Sequence, residues 1–90
     1  MEEKLLYKIF ISGHVQGVGF RWGAVRRAKK MGITGFVKNL SDGRVYIEAE
    51  GTRKQLNDFV DWCMNGPGFV SSVTFDSFPP ANFWDFRVEY

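Results

Sequence analysis

The chain has 90 residues, a formal net charge of +2 and an aromatic set of nine Phe, three Trp and three Tyr. This length predicts a single domain over residues 1–90, and the aromatic side chains provide enough apolar volume for a core. The mild positive charge favours small anions as ligands and argues against a nucleic-acid binder, which needs a concentrated basic face.

The sequence also indicates a compartment. Cys63 is the single cysteine, so no internal disulfide can form, which fits a reducing environment. The N-terminal run Met-Glu-Glu-Lys lacks the basic and then apolar pattern of a signal peptide, and no apolar run reaches membrane-spanning length. We therefore expect a cytoplasmic protein with no membrane partner.

The first elements are a strand, a glycine-rich loop and a helix. Apolar residues alternate over residues 5–11, which predicts a strand with one buried face. The loop follows. A helical period then predicts a helix from Arg21 or Trp22 to about Met31, with Gly32 as its C-terminal stop. The expected inward positions are Trp22, Val25, Ala28 and Met31.

A hairpin is predicted next. Residues 34–40 form the second strand, and Ser41-Asp42-Gly43 is typical of a hairpin turn. The third strand alternates strictly. Its apolar positions are Val45, Ile47 and Ala49, and its outward positions are Arg44, Tyr46, Glu48 and Glu50.

The second half begins with a second helix. Thr52 and Gln55 fit a capping box at its start. Residues 66–68, Gly-Pro-Gly, end it. A fourth strand is expected around Val73 and Phe75, and Pro79 and Pro80 break it. Alternation over residues 84–90 predicts a final strand. The apolar face of the second helix comprises Leu56, Phe59, Val60 and Cys63.

This order predicts an α+β fold of the ferredoxin-like, split βαβ type. The elements read β-α-β-β-α-β with an additional C-terminal strand, and two helices cover one face of a mainly antiparallel sheet. In that arrangement the strand that ends at Asn39 runs parallel to the first strand. Asn39 is therefore expected at the same edge of the sheet as the glycine loop.

The loop itself has the composition of an anion site. Its glycines permit a sharp turn and leave backbone N–H groups uncovered, and amides at the start of a helix attract anions. Arg21 adds a planar set of donors suited to a phosphate. Taken alone, the loop fits equally well a tight strand-to-helix turn beside a surface arginine.

Two motifs resemble the acylphosphatase family, which hydrolyses the carboxyl–phosphate bond of acyl phosphates. Residues 13–21 read Gly-His-Val-Gln-Gly-Val-Gly-Phe-Arg, and residues 35–39 read Gly-Phe-Val-Lys-Asn. The resemblance covers essentially the whole chain. Phe36 replaces the Trp usual in the family, and His14 stands where the family often has Arg, which removes a positive charge from the loop.

The resemblance implies a role for each site residue. Arg21 corresponds to the phosphate-binding arginine and Asn39 to the asparagine that positions water, and no cofactor is used. The expected ligands are an acyl phosphate and inorganic phosphate, and the expected state is a monomer. The amides expected to contact the phosphate belong to Gln16, Gly17, Val18, Gly19 and Phe20.

The residues themselves agree with such chemistry. One His and one Cys cannot form a metal cluster of the usual ligand spacing. A carboxylate leaving group has a pKa near that of Asp or Glu, about 4, so it departs without a general acid. An asparagine amide can hold a water by both accepting and donating hydrogen bonds. Alone, Asn39 would be read as the residue that initiates the following turn.

Three alternative functions agree less well with the sequence. An RNA-binding sheet is disfavoured because Tyr46 is the one aromatic residue on the third strand, where a basic-aromatic pattern is expected. Domains of this kind also begin large hydrogenase-maturation proteins, but a chain ending at residue 90 favours a free-standing enzyme. A regulatory domain without catalysis is disfavoured because both Arg21 and Asn39 are present.

Overall fold

Five strands and two helices follow one another in the predicted order. The structure is a computed structural model that describes residues 3–90, so residues 1 and 2 of the N-terminal run discussed above lie outside it. The elements are β1 (Lys4–His14), α1 (Phe20–Met31), β2 (Thr34–Asn39), β3 (Val45–Thr52), α2 (Arg53–Met64), β4 (Phe69–Phe78) and β5 (Phe86–Val88).

The strands form one sheet in the order β4-β1-β3-β2-β5. β1 pairs antiparallel with β3 and β4, β3 pairs antiparallel with β2, and β5 lies parallel to β2. The ferredoxin-like α+β prediction is confirmed. Because β1 and β2 both run antiparallel to β3, they run parallel to each other. Their last residues, His14 and Asn39, therefore lie at the same edge of the sheet.

The core lies between the sheet and the two helices. The inward residues of β3 are buried as predicted, and so is the apolar face of α2. Fully burying one such side chain contributes about 1.5–3 kcal/mol. Phe59 is 0% exposed, and its ring meets those of Trp62 and Phe86. Replacing it with alanine is expected to cost about 3–5 kcal/mol.

The caps of both helices are those that the sequence predicts. The side chain of Thr52 accepts a hydrogen bond from the Gln55 amide, and the Gln55 side chain accepts one from the Thr52 amide. Gly32 adopts a left-handed conformation, with φ 73°, and its N–H reaches the last carbonyls of α1. These caps satisfy backbone groups that a helix end otherwise leaves unpaired.

The predicted inward face of α1 is confirmed at Val25 and Ala28 and is wrong at Trp22, while Met31 is partly buried against the core. The helix begins at Phe20 rather than at Arg21 or Trp22, and its buried residues are Phe20, Ala24, Val25 and Ala28. Positions 20, 24 and 28 follow one another at helical spacing. Trp22 lies about 200° around the helix from Phe20, and 61% of its surface is exposed.

The final strand is shorter than expected. β5 spans Phe86–Val88, because it pairs in register only with residues Gly35, Phe36 and Val37 of β2. Phe86 is buried, whereas Trp84 and Tyr90 are 94% and 90% exposed. β4, in contrast, extends well beyond Val73 and Phe75, because it pairs with β1 along most of the length of that strand.

Glu50 was expected to point outward and is buried, with 3% of its surface exposed. Its carboxylate oxygens accept hydrogen bonds from the backbone N–H groups of Asn82 and Phe83 at 2.7 and 2.8 Å. The segment between β4 and β5 therefore folds over the end of β3. Strand alternation cannot reveal such a cover, since it comes from residues far along the chain.

Candidate active site

The loop between β1 and α1 is shaped by two glycines in left-handed conformations. Gly17 has φ 73° and Gly19 has φ 84°, a region that costs a residue with a side chain roughly 1–2 kcal/mol. Gly19 is the N-cap of α1 and contributes no side chain to cap it. The first turn of the helix consequently faces the loop with its amides uncapped.

These amides are available to a ligand. Within residues 3–90, none of the backbone N–H groups from Gln16 to Arg21 donates a hydrogen bond. Unpaired N–H groups at a helix start carry partial positive charge and bind anions. Four of these residues, Gly17, Gly19, Phe20 and Arg21, line a depression of about 200 Å³ together with Val15 and Trp22, whereas Gln16 and Val18 are not among its lining residues.

Arg21 adds a full charge to this depression. Its side chain is half-buried, and it forms neither an ion pair nor a hydrogen bond with any other residue that the structure describes. Its guanidinium carbon lies 5.5 Å from the ring centre of Tyr90. The guanidinium donors therefore remain free for an anion, while an aromatic ring packs against the group.

Asn39 lies at the end of β2, opposite Val45 of β3. Its Oδ1 is buried and accepts no hydrogen bond from residues 3–90. A buried oxygen without a partner costs about 1–3 kcal/mol, so such atoms are uncommon in folded proteins. Asn39 is not among the residues that line the depression.

Gln16 joins these two parts of the site. Its Nε2 donates hydrogen bonds to the carbonyl oxygens of Leu40, at 2.8 Å, and of Arg44, at 2.9 Å. Leu40 follows Asn39 directly. The side chain thus fastens the glycine loop to the β2–β3 turn. The sequence predicts a role only for the Gln16 backbone amide and does not reveal this contact, because its partners are backbone carbonyls 24 and 28 residues away.

The β2–β3 turn, which accepts the hydrogen bonds of Gln16, is stabilised by an ion pair of its own. The Asp42 carboxylate accepts hydrogen bonds from the backbone N–H of Arg44, at 3.1 Å, and from its Nε, at 2.8 Å. The backbone hydrogen bond, together with the charge and side chain of Arg44, lowers the pKa of Asp42. The carboxylate is therefore ionised at neutral pH and stabilises the turn next to Asn39.

Val18 and Phe20 contribute to the loop mainly through their backbones. Val18 packs against the core, and the ring of Phe20 is 1% exposed and lies 5.4 Å from that of Trp62. The Phe20 side chain is buried, and that of Val18 is half-buried. They anchor the loop from beneath while its amides face outward.

Other reactive groups lie away from this chemistry. Burial raises the pKa of the Cys63 thiol, so it is neutral and shielded at pH 7. His14 is exposed. Residues 3–90 contain no group of three or more His, Cys, Asp or Glu side chains placed to hold a metal ion. Neither helix of this part of the chain is long and apolar enough to cross a membrane.

Comparison with known proteins shows which family this chain resembles. The family model described as Acylphosphatase matches residues 7–88. An acylphosphatase of Synechococcus sp. is 51% identical over a segment that covers 68% of this chain and 61% of that protein. An acylphosphatase of Archaeoglobus fulgidus is 44% identical and is matched over 92% of this chain and 96% of its own length.

The fold agrees with this result. The crystal structure of an acylphosphatase from Bacillus subtilis superimposes with a TM-score of 0.93 at 37% sequence identity. The match covers 96% of this chain and 99% of the other. The likeness therefore includes both helices and the whole sheet rather than the glycine loop alone.

Proposed function

The chain belongs to the acylphosphatase family and is an enzyme of that family, and we propose that it cleaves acyl phosphates through the loop of residues 16–20, Arg21 and Asn39. The products are a carboxylate and inorganic phosphate. The observation that carries the proposal is the set of unpaired amides and the unpaired guanidinium around one depression.

The phosphoryl group is held by these donors. Phosphoryl transfer passes through a loose transition state whose charge lies on the equatorial oxygens. Donors that already point at those oxygens are usually the largest contribution to catalysis. The amides of the loop bind these oxygens, and Arg21 binds them with two parallel hydrogen bonds. One charge pair about 4 Å apart supplies roughly 4 kcal/mol, before the cost of desolvation.

The attacking water is held by Asn39 in this proposal. Its amide aligns the water with the bond to be broken, and the gain comes from orientation rather than from proton abstraction. Gln16 maintains the geometry, since it ties the loop that holds the phosphate to the carbonyl next to Asn39. Gln16 is thus a positioning residue in addition to contributing its amide.

No general acid is needed at the other end of the bond. The leaving carboxylate is stable at neutral pH because its conjugate acid has a pKa of about 4. Phosphate monoesters instead release an alkoxide and require a proton or a metal. The proposal therefore limits the substrates to mixed anhydrides of a carboxylic acid and phosphoric acid.

The direct test is an absorbance assay with a simple aryl acyl phosphate in the presence of excess chelator. We expect full activity with the chelator and none on the corresponding aryl phosphate monoester. Loss of activity on chelation, with recovery on adding a divalent metal, would contradict the proposed metal-free machinery.

A further inference from the structure

A second depression, which shares no lining residue with the first, forms a groove between the two helices. It has a volume of about 420 Å³ and lies between the middle of α1 and the end of α2. Volumes of this order are typical of small-molecule sites. Its main lining residues are Gly23, Arg26, Arg27, Lys30, Trp62 and Pro67.

One wall of this groove is cationic. Arg26, Arg27 and Lys30 recur along one face of α1, and all three side chains are exposed. None of them forms an ion pair with a carboxylate in the part of the chain that the structure describes. The charged residues that line the groove all have the same sign, and no carboxylate that the structure describes is paired with them. This charge favours a ligand with several negative charges.

The other wall is flat and apolar. Trp62 is half-buried, and its ring packs against Phe59 and Phe20 beneath the groove. The absence of a side chain at Gly23 allows this approach, because a Cβ there would lie 3.1 Å from the Trp62 ring and 3.5 Å from Pro67. The indole is thus held rigidly beside the three cations.

From this combination we infer that the groove is a binding site for a nucleoside polyphosphate, distinct from the phosphate loop. The planar base contacts the wall of Trp62 and Pro67, where base–aromatic contact is favourable. The phosphates lie against Arg26, Arg27 and Lys30, and arginine donors match phosphate oxygens in pairs. The site is argued from its own residues and does not require the proposed catalytic function.

The test uses ATP as the probe and calorimetric titration of the full chain. Excess inorganic phosphate is present to occupy the loop, and the titration is repeated with Arg21→Ala. We expect saturable binding in both proteins. Binding that disappears in Arg21→Ala would place the nucleotide's phosphates in the loop and overturn the inference.

Charge-removing variants then locate the site. Arg27→Gln combined with Lys30→Gln is expected to weaken ATP binding by about tenfold or more, since charge-assisted contacts are lost. The matched control removes two exposed cations elsewhere, with Lys29→Gln and Arg53→Gln. Equal weakening by both pairs would show only general attraction by positive charge and would refute the site.

Two further comparisons test the aromatic wall. Gly23→Ala places a methyl group against the Trp62 ring. The substitution is expected to weaken ATP binding and, because alanine favours the helix, to leave the fold intact. Tripolyphosphate is expected to bind several-fold more weakly than ATP. Equal affinity for the two probes, or no effect of Gly23→Ala, would contradict a ring-binding site.

Discussion

Two polar sites at opposite ends of the sheet differ in whether their polar groups have hydrogen-bond partners within the chain. At the C-terminal end of β3, the buried Glu50 carboxylate accepts hydrogen bonds from Asn82 and Phe83. At the other end, the backbone amides of the loop and the Arg21 guanidinium donate no hydrogen bond within residues 3–90. The first site is satisfied by the chain itself, whereas the second has donors in excess.

The difference separates stability from function. Removing a group that pairs with the chain leaves its partner unsatisfied, so it lowers the free energy of unfolding. Removing a donor that has no partner in the chain leaves the fold almost unaffected and acts only on a ligand. Substitutions at the two ends should therefore change different measured quantities.

The largest effect is expected at Arg21. Arg21→Ala should lower kcat/KM by about 10³-fold, since it removes charged donors to the phosphoryl oxygens. Stability should change by no more than about 0.5 kcal/mol, because the chain loses only the contact with Tyr90. Aryl acyl phosphate kinetics and urea denaturation measure both. Arg53→Ala, at an exposed position, is the control and should retain full activity.

Asn39 should act on turnover alone. Asn39→Ala is expected to lower kcat by about 10²-fold through loss of water orientation, with inhibition by inorganic phosphate nearly unchanged. Stability should not fall by more than about 1 kcal/mol, because the side-chain oxygen has no partner to lose. Asn65→Ala serves as the control. An equal loss of phosphate affinity in Asn39→Ala would refute the assigned role.

At the opposite end, Glu50→Gln should reverse the pattern. The amide offers one acceptor oxygen where the carboxylate offered two, so we expect a loss of about 1–3 kcal/mol in the free energy of unfolding. The distance from the loop predicts a kcat within about twofold of the original. Glu48→Gln on the same strand is the matched control. A large fall in kcat in the folded Glu50→Gln protein would show that this end of the sheet also contributes to catalysis.

Replacing Gln16 should lower both turnover and stability, each by less than the largest losses described above. Gln16→Met keeps the length of the side chain but removes the donor to Leu40 and Arg44, and we expect kcat to fall by about tenfold. Gln55→Met is the control, because Gln55 also donates to a carbonyl, that of Met31, away from the loop. It should lower stability and leave kcat unchanged.

A double-mutant cycle shows whether Gln16 works through Asn39. In an Asn39→Ala background, Gln16→Met should add little further loss in kcat, because the group that it positions is already absent. Fully additive losses would mean that the hydrogen bonds of Gln16 support only the fold of the loop.

The sequence predicted the order of the elements because each carries a local signal. Alternation in β3, the capping box at Thr52 and Gln55, and the left-handed Gly32 all depend on neighbours in the chain. The shared edge of His14 and Asn39 followed from the topology. The glycine loop was recognisable for the same reason, since its conformation is encoded in its own residues.

The errors concern contacts between distant residues. Strand alternation predicted that Glu50 is exposed, because the backbone donors that cover it lie more than 30 residues later in the chain. The contact of Tyr90 with Arg21 and the bonds of Gln16 likewise depend on tertiary structure. Trp22 was assigned inward because the start of α1 was placed after Phe20, so that Trp22 took the first apolar position that Phe20 occupies.

The most direct measurement is a phosphate titration followed by amide NMR of the full chain. The account predicts that the backbone N–H signals of residues 16–21 and the Arg21 side-chain signal shift together and saturate at one phosphate per molecule. The amides of Asn82 and Phe83, paired with Glu50, should stay in place. Saturable phosphate binding that leaves the loop amides unshifted would contradict the account.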